Sequence, residues 1–139
     1  MADPLSAASG VVGLVTFAFQ ASLTLYTAIR KLQNQDRNSR ALKGELNDLT
    51  QVLETLLETV SSHPEINFDA LASPLKRCGN ACKEYGDLVA ECTKHSTGSR
   101  ASVRDWFKQL YLQGDINDFK SMLAVYKSTI NIALANANL

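Results

Sequence analysis

No charged residue occurs between Pro4 and Ile29 (PLSAASGVVGLVTFAFQASLTLYTAI), and Arg30–Lys31 close the run. A stretch this long and apolar has three uses: a secretory signal, a bilayer span, or a helix packed within a bundle. A signal peptide wants a basic start and a small-residue cleavage site. Here Met-Ala-Asp-Pro comes first, and Asp3 has the wrong sign. Length permits a span, since about 20 residues cross a hydrocarbon core. Val11, Val12, Leu14, Val15, Phe17, Phe19, Leu23, Leu25 and Ile29 each favour insertion by ~0.3–0.6 kcal/mol at the bilayer centre, ~3–5 kcal/mol together. Gln20 opposes them, because an unpaired amide in an apolar medium costs ~2–7 kcal/mol. Gly13, Thr16, Ser22, Thr24 and Thr27 dilute the run further. The two sides nearly cancel.

Spacing refines this balance. Gly13, Thr16, Gln20, Thr24, Thr27 and Lys31 follow steps of three and four, so they share one helical face. The remaining faces are apolar, as in a helix surrounded by protein or lipid. Gly10 and Gly13, with Ala7, Ala18 and Ala21 nearby, would allow close approach of a second helix. The plain expectation is a core helix of a bundle. The sharper one is a helix balanced between that core and a membrane, with Val11, Val12, Leu14, Val15, Phe17, Phe19, Leu23 and Leu25 as its membrane-directed residues. Arg30, Lys31, Arg37, Arg40 and Lys43 follow the run, broken only by Asp36. They read either as a solvated helix end complementing the helix dipole or as a juxtamembrane patch. In the second case each residue contributes about 1 kcal/mol at an anionic leaflet.

The rest of the chain is patterned as helices. Leu42, Leu46, Leu49, Leu53, Leu56 and Val60 form a heptad seam, widened by Val52 and Leu57. Leu71, Leu75, Cys78, Cys82, Tyr85, Val89 and Cys92 form a second. Ile116, Phe119, Leu123, Tyr126, Ile130, Ala133 and Ala137 form a third. Asn38 or Ser39 is placed to cap the first of these helices, and Ser73–Pro74 to open the next. His63–Pro64 and Lys94–Gly98 interrupt the pattern. Ser102 and Asp105 have capping-box spacing ahead of Trp106, Phe107, Leu110 and Tyr111, which read as core or rim aromatics. The expected helices are 1–32, 38–61, 73–94, 101–113 and 115–137 in a single domain, 1–139. The fold class is all-α: a four- to five-helix up-down bundle.

At 139 residues such a bundle buries enough surface to need no disulfide or metal. Fourteen basic residues balance fourteen acidic ones, and no basic tract is interleaved with aromatics, which argues against nucleic acid as a partner. Three cysteines without a signal peptide point to reduced thiols in a cytosolic protein. Cys78, Cys82, Cys92 and His95 invite a zinc reading. However, the thiols fall on an apolar seam, and ligands ten residues apart on one helix are ~15 Å apart. No phosphate loop, nucleophile elbow or zincin motif is present, and His63 and His95 sit in expected loops. The chain reads as neither an enzyme nor a cofactor binder.

Four segments, MADPLSAASGVVGLVTFAFQAS, SPLKRCGNACKEY, RDWFKQL and YKSTINIALANAN, resemble one family across the whole chain and in order. It is the HeLo-like N-terminal domain of fungal NOD-like (STAND) receptors. The resemblance implies a HeLo-like helical bundle that acts as the effector of a larger protein. Downstream nucleotide-binding and repeat domains would cluster it. The domain would then self-associate and its hydrophobic first helix would attack a membrane, causing regulated cell death. On that reading it is cytoplasmic at rest and membrane-associated when activated, with itself and anionic lipid as partners. The rival expectation is a non-toxic cytosolic adaptor that binds another helical domain.

Overall fold

Leu42, Leu46, Leu49, Leu53 and Leu56 are all fully buried, so the leucine seam of the sequence is the spine of the core. In the computed structural model, residues 10–31, 37–95 and 115–137 are described, and four α-helices with one short 3-10 turn occupy most of them. They are α1 (Val11–Arg30), α2 (Arg37–Ser62), α3 (Ala72–His95) and α4 (Asp115–Asn136), with the 3-10 turn at Asp69–Leu71 leading into α3. No strand occurs among the described residues. The fold is an all-α bundle. The helix expected over 101–113 lies outside the described residues.

The other two seams also point inward. Leu71, Leu75, Cys78, Cys82 and Val89 are buried, as are Ile116, Phe119, Leu123, Tyr126 and Ile130. Tyr85, Ala133 and Ala137 pack half-buried against them, while Glu54 and Glu58 stay in water. Side-chain contacts fix the helix directions. Val11 and Val12 share a cleft with Val60 and Ser61, and Ser22 meets Thr50, so α1 and α2 run antiparallel. Phe17 lies over Gly79, and the start of α1 lies beside Phe68 and Asp69, so α3 runs with α1. Tyr85 stacks on Phe119 with ring centroids 3.9 Å apart and planes 11° from parallel. Lys127 reaches back to α2, with Nζ 3.4 Å from Glu45 Oε2 and 3.6 Å from Asp48 Oδ2. The chain therefore alternates up and down. α1 packs against α2 and α3, while α4 packs chiefly against α2 and lightly against α3.

Three boundaries differ from the sequence expectation. Gly10 has φ +43°, a conformation that side chains disfavour, so α1 begins at Val11, and the earlier part of the helix expected over 1–32 lies outside the described residues. α2 already includes Arg37, which puts Asn38 and Ser39 inside its first turn and not at its cap. The start of α3 moves the same way. Asn67 Oδ1 accepts the Asp69 N–H at 2.7 Å, the 3-10 turn follows, and Ser73–Pro74 fall within the helix. Pro74 is tolerated there because first-turn amides have no intrahelical acceptor.

Candidate functional site

Helix α1 is the one described helix long and apolar enough to cross a bilayer, a property it shares with core helices of soluble bundles. The structure divides the residues that the sequence directs toward lipid. Val11, Val15 and Leu25 lie in the core beside Ala18 and Ile29. Val12, Leu14, Phe17 and Phe19 are half-buried, and Leu23 is exposed. Only 33% of the most apolar 18-residue window is buried. Gln20, Leu23, Thr24, Thr27, Arg30 and Lys31 form the open face. Gly13 departs from the expected polar stripe: it is buried.

Polar groups on α1 are mostly satisfied within the helix. Thr16 Oγ1 donates to the Val12 carbonyl at 2.8 Å, Ser22 Oγ to Phe19 at 2.9 Å, and Thr27 Oγ1 to Leu23 at 2.9 Å. Such back-bonds travel with the helix into any medium. Between Val11 and Ala28, the one side-chain polar bridge from α1 to another described helix is the 3.3 Å contact of Thr50 Oγ1 with Ser22 Oγ. Each hydroxyl has a single hydrogen. That of Ser22 already goes to Phe19, and that of Thr50 goes to the Leu46 carbonyl at 2.7 Å. Parting α1 from α2 therefore orphans neither group. By contrast, α4 is tied to α2 by Lys127, which bridges two carboxylates.

A close helix approach occurs at a glycine that the sequence did not single out. Gly10 approaches nothing: a side chain there would meet open space. At Gly79 on α3, a Cβ would collide with the Phe17 ring. The sequence signal for it is a glycine between Cys78 and Cys82 on a buried seam, where any larger residue would have been expected. The basic residues gather at the far end of α1. Arg30, Lys31 and Arg40 are exposed and Lys43 is half-buried, while the side chain of Arg37 lies outside the described set.

A family model described as "Pigment biosynthesis cluster protein PigL N-terminal" matches residues 2–139. The chain belongs to that family. No curated protein and no solved structure is similar enough to match. Membership of this family makes the chain an N-terminal helical domain. The family's description names a pigment biosynthesis cluster and carries no reference to a receptor.

The thiols and imidazoles of the zinc reading are only partly described. Cys78 and Cys82 are free, buried thiols. A hydrogen bond with Cys78, burial, and the neighbouring Cys78 charge all push the Cys82 thiol up, so it stays protonated and acts as a small hydrophobe. Cys92 and His95 carry side chains outside the described set. His63 sits in the loop after α2, its Nδ1 3.3 Å from Glu65 Oε2. A cleft of about 480 Å³ opens beside it, lined by Val11, Val12, Val60, Ile66 and Phe68 among others. This cleft is where the start of α1 meets the α2–α3 connection.

Proposed function

We propose that this domain is the N-terminal effector of a larger fungal protein of the NOD-like receptor type, in which clustering drives self-association and membrane attack by α1. The HeLo-like character, the cell-death output, the anionic lipid partner and the downstream nucleotide-binding and repeat domains all belong to this proposal. So do the absence of enzymatic chemistry and of a nucleic-acid partner, and a cytoplasmic resting state. One observation carries it. From Val11 to Ala28, the helix whose length and composition suit a bilayer is held to α2 by apolar packing and by one hydroxyl contact whose loss leaves neither group unmet. The exposed cations Arg30, Lys31 and Arg40 at its end suit a negatively charged surface once α1 moves.

Pinning α1 tests the proposal. The Ser22 and Thr50 oxygens are 3.3 Å apart, so Ser22→Cys/Thr50→Cys places two thiols within reach of a disulfide. With vesicles of phosphatidylcholine and phosphatidylserine, the oxidised variant should release no dye and the reduced variant should release it as the parent does. Equal release from both forms, or none from the parent at any concentration, rejects membrane attack. The adaptor reading then stands. It is favoured by the outer face of α4, uncharged from Ser121 onward, which suits a helical partner without any membrane step.

A further inference from the structure

Helix α4 has two seams. The inward one, Ile116 to Ile130, is described above. On the opposite side Ser121, Val125, Ser128, Ile132 and Ala135 step by four, three, four and three, and all five are exposed. Val125 is 61% and Ile132 58% exposed, the highest values among the large exposed apolar residues. The outward faces of α2 and α3 carry Arg40, Asp48, Glu54 and Glu58, and Lys76, Arg77, Lys83, Glu84 and Asp87. From Ser121 to the end of α4 the only charged side chain is Lys127, and it is turned onto Glu45 and Asp48 of α2. A surface helix normally puts its charge on the wet side. From Ser121 onward the wet side of α4 has none, the exposed Asp118 lying in the turn before it.

We infer that this stripe is the surface through which two copies of the domain pair, α4 against α4, antiparallel about a two-fold axis. Three features select a second copy as the occupant. First, a neutral stripe meets its own duplicate without repulsion, which the charged outer faces of α2 and α3 would not. Second, the stripe alternates small residues (Ser121, Ser128, Ala135) with branched ones (Val125, Ile132). In an antiparallel pair, one set of heptad positions faces the other, so each branched residue of one copy lies against a small residue of its partner. A parallel pair would set Val125 against Val125. Large against small is the arrangement that interdigitates, and a two-fold pairing of one surface with itself is the commonest closed assembly. Third, antiparallel pairing opposes the two helix dipoles and sets the two Asp118 carboxylates at opposite ends of the pair, where a parallel pair would bring them side by side.

The stripe is one helix face about 21 Å long, well short of the roughly 800 Å² per partner of a stable complex. Free domains therefore pair weakly, and tethering several on one assembly, at effective concentrations in the millimolar range, fills the interface. This inference rests on the self-association part of the proposed function and gives it a surface. It is independent of the membrane step.

The test is sedimentation equilibrium of the whole chain in lipid-free buffer over a concentration series, with Val125→Lys/Ile132→Lys as the variant and Leu88→Lys, at another exposed apolar site on α3, as the control. Circular dichroism melts confirm that each stays folded. Parent and control should move from monomer toward dimer as concentration rises, and the double variant should pair at least about tenfold more weakly. A parent that stays monomeric into the millimolar range means the stripe is covered by something else and overturns the inference, as does a double variant that pairs like the parent. Orientation is read by cross-linking in a Cys92→Ser background. Ser128→Cys should link to its twin and Ser121→Cys should not, whereas equal linking at both refutes the antiparallel pair. A protein that pairs through α4 yet never permeabilises vesicles removes the membrane reading and leaves this one intact.

Discussion

The contact of Phe17 with Gly79 joins α1 to α3, and it predicts a change of sign that contact-free reasoning would miss. Replacing a helical glycine by alanine usually stabilises a helix by about 1 kcal/mol. At Gly79 the new methyl would collide with the Phe17 ring. If the ring stays, overpacking costs about 1–3 kcal/mol; if it swings into water, Phe17 forfeits burial of similar size. Gly79→Ala should therefore be neutral to destabilising by about 2 kcal/mol, the propensity gain being offset or exceeded. In a Phe17→Ala background the three atoms nearest the methyl, all of the Phe17 ring, are gone, and the same substitution should stabilise by about 1 kcal/mol. The double-mutant cycle should thus return a coupling of ~1–3 kcal/mol. Urea unfolding followed at 222 nm measures it, since at a slope near 2 kcal/mol per molar an effect of 2 kcal/mol moves the midpoint by about 1 M. A Gly79→Ala protein that gains about 1 kcal/mol whether or not Phe17 is present would show that α1 does not lie on α3 through this pair.

Other expectations can be checked with the same preparations. Leu49→Ala and Leu123→Ala, both at fully buried positions, should each cost ~2–5 kcal/mol in urea melts, and values near zero would displace the seams from the core. Lys127→Ala should cost up to about 1 kcal/mol through its pairs with Glu45 and Asp48, with the difference shrinking in 1 M salt. Cys82 should resist iodoacetamide in the native fold and react in urea. The Cys82 thiol and the Tyr126 hydroxyl are both held above their ordinary values of 9.0 and 10.0, so the folded state keeps their protons better than the unfolded state does. That contribution is complete below pH 9 and is lost as pH rises beyond it. Stability rising through this window in an alkaline titration would contradict the burial of the thiol.

The sequence made the packing legible wherever one residue type filled a regular register. Leu42 to Leu56 and Ile116 to Ile130 were readable because a helix buries one stripe, and heptad spacing marks that stripe without reference to any neighbour. Helix starts were less legible. Ser73–Pro74 has cap chemistry, yet Asn67 opens the turn, because several capping residues compete locally and the loop path decides among them. Gly10 and Gly13 illustrate a different limit. Small residues permit close approach, but the partner helix determines which of them is approached: Gly10 meets open space, while Gly79 lies under Phe17. The open outer face of α4 was present in the spacing of Val125 and Ile132, but its exposure depended on α2 and α3 lying on the opposite side.

Energies then indicate how the proposed release of α1 must work. Beside Ala18, the four branched apolar side chains Val11, Val15, Leu25 and Ile29 of α1 are buried, and at ~1.5–3 kcal/mol each they hold the helix down by ~6–12 kcal/mol. Inserting the same helix in a bilayer returns ~3–5 kcal/mol at best, before the amide of Gln20 is considered. A lone domain beside a membrane therefore stays closed, by about 1 kcal/mol at the least favourable pairing of these figures and by more once Gln20 is counted. Basic residues near an anionic surface narrow the gap by about 1 kcal/mol each, and contacts between copies supply what is left only when several domains are held together. On this arithmetic the trigger is concentration and not lipid. Leakage should rise more steeply than linearly with the number of domains per assembly, and a monomer at low density should be silent on membranes that a clustered form permeabilises.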